Sequence, residues 1–553
     1  NCDSIIMITI NSKGEQKIIN DKYNSSLSKV EINGTVQKDV KNSYELEGIN
    51  FIIITLKEGI KSFDNMFANI KQITEIDLSG LNNNNITNLE NMFLNCIGLT
   101  PVNFGRFFFS SVLNMKSMFD GCTKLSNLNL ENFETSYITS TERMFYNCQN
   151  LRTIDLSKFK TRLLKTMKHM FYLCTNLISI TFSPNLDTSK VTDMSHLFSC
   201  CNKLQSIDLS KFDTSSVETM EYMFYSCQNL ISLDFSSFNT SNVTKMNHMF
   251  ESCLKLKSLD LSNFETSLVT NMEYMFSNCK QLQSFNFEII NDEKKTSWIK
   301  FKCGFKSFVF FWNSDYDNCI ESLTKTVVYN FNLFRVKNMH NMFGSCSSLE
   351  SIDLSNLNIS SVENMKYMFQ NCENLKSINF QNINTSKVTS MEGLFSGCKN
   401  IQNIDFSLFQ TDSLKSISKM FEKTNFIDFT KLKDFDTSMV EDISYMFNSV
   451  KEIISIDLSY LNIQSATNMD YMFNDCSNLI SFKLNKSNIS KIKSMNGLFK
   501  GCISLESIDL SDMNTSSLLS ISHIFEGCQN LKTVNLTNYN TSKVTDISYM
   551  FQS

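Results

Sequence analysis

Along nearly the whole chain, apolar residues return at one fixed period. The recurring string is Met-Phe-x-x-Cys-x-x-Leu-x-x-Ile-Asp-Leu-Ser-x-Phe-x-Thr-Ser-x-Val-x-x-Met. Its anchor Phe falls at Phe67, Phe93, Phe119, Phe145, Phe171, Phe198, Phe224, Phe250 and Phe276, and again at Phe343, Phe369, Phe395, Phe421, Phe447, Phe473, Phe499, Phe525 and Phe551. The step is 26 residues, except 27 from Phe171 to Phe198 and 67 from Phe276 to Phe343. A period of this kind predicts one small unit stacked on copies of itself, a solenoid whose core is shared between neighbours.

The coil that starts at Phe224 shows the unit. Leu233 and Phe235 alternate with Asp234 and Ser236, which predicts a half-buried strand with its apolar side inward. Phe238 buries again, and Thr240-Ser241 reads as a turn or cap opening a short helix. Val243, Met246, Met249 and Phe250 follow at helical spacing. The expected fold is therefore an α/β solenoid of leucine-rich-repeat type. Each 26-residue coil carries one strand and one short helix, and the strands stack in a parallel sheet. The Met-rich stripe is core rather than a cofactor box, since Met absorbs small misfits between coils.

Where the pattern lapses, the chain divides. Residues 1–60 lack the repeat but hold β-rich runs such as 5–10 and 51–56, an N-terminal cap over the first coil. Residues 61–288 form the first half of the solenoid and 329–553 the second. Residues 289–328 are an insertion in which Phe305, Phe308 and Phe310 preserve a degenerate coil. The insertion also holds Trp298, Trp312, Cys303 and Cys319. It is either a protruding element that recognises a partner or a decorated loop that plugs the solenoid between its halves. The last coil carries no C-terminal cap, and an open, self-similar edge is what head-to-tail stacking into a filament would use.

The Leu-x-x-Ile-x-Leu segment, with Phe and Cys at set distances, is similar to the leucine-rich repeats of the Bacteroides surface protein (BspA-like) type. The Asp-Leu-Ser-x-Phe-x-Thr-Ser-x-Val-x-x-Met-x-x-Met-Phe-x-x-Cys form resembles a variant found in surface proteins of bacteria and microbial eukaryotes. The resemblance covers roughly residues 61–288 and 329–553. It implies a cell-surface or secreted protein that touches other cells, matrix or host components, and it supplies no catalytic residues.

Composition narrows the function further. A net charge of -5 with 19% charged residues leaves no basic stripe for nucleic acid. The longest apolar run, near 49–56, falls well short of the ~20 residues a membrane helix needs. No signal peptide opens the chain at Asn1, as in a processed secretory product or a fragment. Of 18 cysteines, most stand three residues after the anchor, where a small buried core residue is expected. Cys303 and Cys319, off that phase, are the disulfide candidates.

Three further rows carry candidate chemistry. Ten residues after the anchor stand Asp77, Asp155, Asp208, Asp234, Asp260, Asp353, Asp405, Asp457 and Asp509, with Asn in other coils. This reads as a polar face relieved by water, Ser and Asn, with Ca²⁺ binding as the alternative. Two residues before the anchor, Tyr222, Tyr274, Tyr367, Tyr445, Tyr471 and Tyr549 share a phase with His169, His196, His248 and His523. The histidines there substitute for Tyr as flat rings with a polar tip; the row covers a helix flank, stacks sugars or lines a contact between molecules. Fifteen residues after the anchor, Asn239, Asn358, Asn384, Asn488, Asn514 and Asn540 begin Asn-x-Ser sequons that glycans would decorate as a row, although Asn also suits the turn.

No phosphate loop, nucleophile elbow, zinc-protease helix or EF-hand loop occurs, and no cofactor or metal is expected. The reading is a non-enzymatic extracellular or cell-surface scaffold for adhesion or for a protein or glycan ligand. Trp298, Trp312, Tyr222, Tyr274 and Tyr549 are its interaction candidates. The alternative is a glycosylated structural protomer of a head-to-tail extracellular filament or coat.

Overall fold

Ile52, Ile8, Ile76 and Val102 lie side by side across four neighbouring strands, and this row joins the N-terminal segment to the repeats. The computed structural model describes residues 4–82, 85–105, 109, 111–131, 133, 135–286, 333–355, 357–402, 404–425, 429–485 and 489–552. The N-terminal segment comprises β1 (Ser4–Lys17), β2 (Leu27–Ile32), β3 (Thr35–Val36) and β4 (Ser43–Leu56). The first two repeat strands are β5 (Ile73–Asp77) and β6 (Val102–Asn103). They form one sheet in the order β3-β2-β4-β1-β5-β6, in which β1 is antiparallel to β5 and β5 parallel to β6. Alternation does the sorting: Ile6, Ile8, Ile10, Ile52 and Ile54 are buried, whereas Met7, Ile49 and Phe51 face out. The segment thus covers the edge of the first coil with its own backbone.

Beyond it the coils stack in register. Parallel strands pair Thr153–Leu156 with Ser179–Phe182, Ser258–Asp260 with Ser284–Asn286, Ser351–Asp353 with Ser377–Asn379, Ser455–Leu458 with Ser481–Leu484, and Ser507–Asp509 with Thr533–Asn535. These strands are short, and a second seam on the opposite edge ties the coils together more continuously. Single parallel bridges run there from Ser62 to Asn88 to Asn114, and from Ser140 through Thr166, Asp193 and Thr219 to Asp546.

That second seam is where the expected helix fails. Among the described residues the helical segments are the 3₁₀ stretches Asp21–Ser26, Phe406–Leu408 and Phe429–Asp434, none in the Val-x-x-Met-x-x-Met-Phe stretch of a coil. In the coil of Phe224 the amides of Met220, Tyr222, Phe224 and Ser226 donate to the carbonyls of Lys245, Asn247, Met249 and Glu251 in the next coil, at 3.0, 3.0, 2.9 and 2.7 Å. The amides between them, from Met223, Tyr225 and Cys227, close tight turns onto Met220, Tyr222 and Phe224 at 3.2, 3.1 and 3.1 Å. Tyr222 and Ser226 adopt φ of 57° and 57°. A helix would keep every amide within its own coil. Here alternate amides leave it, which requires a left-handed residue two before and two after each anchor. That conformation costs about 1–2 kcal/mol for a residue with a Cβ, offset by the inter-coil hydrogen bonds that these buried amides make.

The core lies between the strand edge and this seam. The anchor rings stack face to face: Phe224–Phe250 at 5.9 Å and Phe250–Phe276 at 5.6 Å. Phe250, Cys253 and Leu259 are 0%, 0% and 3% exposed, so the inward face is the expected one. The coil of Phe343 lies directly on that of Phe276, with rings 5.5 Å apart and the Phe276 amide 2.9 Å from the Met342 carbonyl. The coil of Phe343 is thus the next rung of this seam after that of Phe276. The 27-residue step is absorbed at the corner after the strand Ser179–Phe182, where the Ser183 hydroxyl accepts the Asn185 amide at 3.2 Å beside Pro184. The degenerate coil, Trp298, Trp312 and the Cys303–Cys319 pair lie outside the described residues.

Candidate functional site

Repetition turns each phase of the coil into a row, and the backbone accounts for several rows before any ligand is needed. The cysteine row is the deepest. Cys253 Sγ donates to the Phe224 carbonyl at 3.2 Å, Cys279 to Phe250 at 3.1 Å, and Cys346 to Phe276 at 3.1 Å. The Phe224 carbonyl also accepts the Cys227 amide at 3.1 Å. A buried carbonyl thus receives one donor from its own coil and one from the next. Burial pushes these thiols up, Cys174 to about 12, so they are inert protonated donors rather than nucleophiles. The described cysteines are all free.

Thr424 and Val450 interrupt this row, and at the Phe421 carbonyl the first makes up for the second. Val450 has no donor for the Phe421 carbonyl below it. Thr424 supplies one from Phe421's own coil, with Oγ1 at 2.8 Å.

The Asp row is likewise structural. Oδ1 of Asp208, Asp234 and Asp260 accepts the amide of Ser210, Ser236 and Ser262, each at 2.9 Å. Asn103 and Asn535 do the same for Gly105 and Thr537, at 2.8 and 3.1 Å. One acceptor oxygen closing an Asx turn is what the position requires, which is why Asp and Asn interchange there. The Ser amide and hydroxyl hold Asp155, Asp208 and Asp234 below the usual carboxylate range. Among the described residues no group of three or more His, Cys, Asp or Glu is placed to hold a metal ion.

The rim repeats this device. Oδ1 of Asn239, Asn358, Asn384, Asn514 and Asn540 accepts the amide two residues on, at 3.0, 3.2, 3.0, 3.3 and 2.9 Å. Asp213 plays the same part for Ser215 at 3.0 Å. The five asparagine side chains are exposed; Asn488 lies outside the described residues. The Thr that follows opens no helix. Buried Thr240 donates Oγ1 to the Glu265 carbonyl at 2.9 Å and accepts the Glu265 amide at 2.8 Å, a clamp onto the next coil. Thr214 grips Asn239 identically, at 2.8 and 2.8 Å.

The aromatic row is the one left without a backbone duty. His169, His196, Tyr222, His248 and Tyr274 form a continuous stack with centroids 4.4, 4.4, 4.3 and 4.8 Å apart. Tyr146 and Tyr172 stack beside it at 4.8 Å, and the Arg143 guanidinium lies 3.6 Å over the Tyr146 ring while pairing with buried Asp120 at 2.7 Å. Since the ring faces cover one another, the row presents ring edges rather than open faces. Further along, Tyr445–Tyr471 and His523–Tyr549 stack at 4.9 and 4.8 Å. Gly393 and Gly497 break the row so that Tyr367 and Tyr471 lean over them; a Cβ on either glycine would meet the ring at 2.3 Å.

The left-handed requirement had a visible sequence signal. Asn65 and Asn69, Asn91 and Asn95, Gly393 and Gly397, Gly497 and Gly501 flank their anchors four residues apart, and all have positive φ. Asn and Gly are the residues that tolerate it.

Residues 61–183, 180–291, 316–405, 375–485 and 467–553 match the family described as "Mycoplasma protein of unknown function, DUF285". No curated protein matches the chain. Solved structures with some likeness include a leucine-rich repeat protein from Bacteroides ovatus ATCC 8483, 15% identical over 75% of this chain and 78% of that one, with a TM-score of 0.35. Another is the TLR13-ssRNA13 complex, 14% identical over 81% and 79%, with a TM-score of 0.17. Among the described residues no helix is long and apolar enough to cross a membrane.

Proposed function

From the premise that the chain belongs to the DUF285 family of Mycoplasma proteins of unknown function, we propose that it is a non-enzymatic extracellular or cell-surface scaffold. It binds a protein or glycan through the side chains that its coils set out in rows. The observation that carries this reading is the aromatic row from His169 to Tyr274. Its members make no backbone hydrogen bond through their side chains, yet they hold one face across neighbouring coils. Polar-tipped aromatic edges on a rigid support are a contact surface in the sense used by protein interfaces, where Tyr is enriched. The acidic balance of -5 favours protein or sugar over nucleic acid.

Two measurements test it. Surface biotinylation of intact cells that express the protein should label it, and an intracellular address for all of it would overturn the localisation. Purified protein passed over immobilised host-surface glycans and matrix proteins should bind one of them. The triple variant Tyr146→Ser, Tyr172→Ser, Tyr225→Ser, which alters the flanking ring edges and spares the stack itself, should lose most of that binding. Retention by a folded variant would remove these flanking ring edges from the site. Negative-stain images of the same material separate discrete rods, as expected here, from the indefinite fibres of a head-to-tail filament.

A further inference from the structure

Two imidazoles in this stack occupy an environment that neutral rings tolerate and charged rings do not. His169 and His196 lie 4.4 Å apart and 12° from parallel, and Tyr222 covers the other face of His196 at 4.4 Å. His196 Nδ1 is buried with no hydrogen-bond partner. Protonation makes both ring nitrogens donors, so it would place a charged N–H where nothing accepts it. The neighbouring cations compound the problem: Lys168 lies beside both rings, and Arg143 beside His169.

The carboxylates at hand are already engaged. Glu142 pairs with Lys116 at 3.1 Å. Asp193 faces Lys168 at 3.7 Å while its Oδ1 accepts the amide and hydroxyl of Ser195. The flanking rings of Tyr146 and Tyr172, 6.1 and 5.5 Å from that of His169, bring no carboxylate. His248 and His523 stand in the same row but differ in kind, because Nδ1 of each is bonded to a carboxylate, Glu251 and Glu526.

We propose that His169 and His196 form an acid-sensitive seam, at which protonation parts the coils of Phe171 and Phe198 while the coils beyond stay stacked. The backbone links the rings to the seam. His169 and His196 are both left-handed residues; the His169 amide donates to the Ser195 carbonyl across this boundary at 3.0 Å, and the His196 amide makes the next rung, onto Glu221, at 3.0 Å. An imidazole that turns out to reach water disturbs the backbone carrying that bond. The same coil also absorbs the single 27-residue step.

The sign follows from burial, which together with the nearby cations lowers both histidines from 6.5 to about 4. The opened state takes up protons below about 6.5 that the closed state refuses until about 4, so closure weakens as pH falls through that window.

Hydrogen exchange read by mass spectrometry tests this on the full chain. Relative to pH 7, and after correction for intrinsic exchange, the amides of His169, Phe171 and Leu173, which donate to Ser195, Leu197 and Ser199 across this boundary, should open at least about tenfold more at pH 5. Equivalent amides around Phe473 should not. In His169→Tyr/His196→Tyr, which installs the residue that Tyr222 and Tyr274 already supply at this phase, the acid-induced opening should vanish. Equal opening in the double variant and the wild type would overturn the proposal. The wild type provides a second reading should the variant misfold. In a titration of its five histidines by carbon-detected resonance, His169 and His196 should protonate well below the ordinary imidazole value of about 6.5. Ordinary midpoints for these two would overturn it as well, as would low midpoints without opening at the seam.

Discussion

Thr424 and Val450 offer the sharpest test of why cysteine stands in the core row. The Phe421 carbonyl is buried and accepts two donors from one residue, the Thr424 amide at 3.2 Å and Oγ1 at 2.8 Å. Thr424→Val removes the hydroxyl with almost no change of shape, so no cavity contributes. The carbonyl keeps its amide, and the cost is one net hydrogen bond, about 1 kcal/mol. That equals about a fivefold rise in local opening, read as faster exchange of the amides of residues 421–424. In a Val450→Cys background a thiol stands where the other coils place theirs, 3.0–3.2 Å from the carbonyl below. The same Thr424→Val change should then cost less than half as much, because the introduced thiol supplies the missing donor. Additive effects across the four proteins of this cycle would refute the reasoning and leave the cysteine row as packing alone. Exchange is the right assay, since a long solenoid need not unfold as one unit.

Three other outcomes follow from the geometry. Gly393→Ala should lower the melting temperature more than Gly527→Ala: both residues have positive φ, but the new Cβ meets Tyr367 at 2.3 Å in the first and nothing closer than 3.6 Å in the second. Thr240→Val should cost about 2 kcal/mol by losing both hydrogen bonds to Glu265, read as faster exchange of the Glu265 amide, whereas Thr240→Ser should stay near wild type by the same measure. Asp234→Asn should keep the turn, as Asn103 and Asn535 do, and cost only a little at pH 7; because the folded-state carboxyl sits lower than its unfolded value of about 3.9, this small wild-type advantage should hold above that value and disappear as pH falls through the lower one, seen in acid melts.

Much of this architecture was legible because one residue type at one phase leaves little choice about what is inside. Phe250, Cys253 and Leu259 were placed correctly by period alone. The seam was not, because Val243, Met246, Met249 and Phe250 are spaced alike in a helix and in a run of tight turns. Deciding between them needed the sign of φ at His248 and Ser252, and His or Tyr at such a position hides a requirement that Asn65 or Gly393 advertises. The Asp row was legible as outward but not as an Asx turn, since its partner is an amide and amides have no letter. For the aromatic row, the alignment of His169 with Tyr222 was visible, but not that the rings would spend their faces on each other.

The uniform offset of the inter-coil bonds bears on how such a chain can vary. Phe224 meets Met249 as Phe250 meets Met275, each amide 2.9 Å from a carbonyl one period ahead. The partners are defined by phase and not by identity, so any coil can sit on any other. Loss or duplication of a whole 26-residue unit therefore leaves every remaining contact of this kind intact, while a shift by a few residues within the seam breaks all of them at once. Slippage of the coding sequence by whole units would yield rods of different length with the same surface chemistry, and length would be the trait most free to drift between strains.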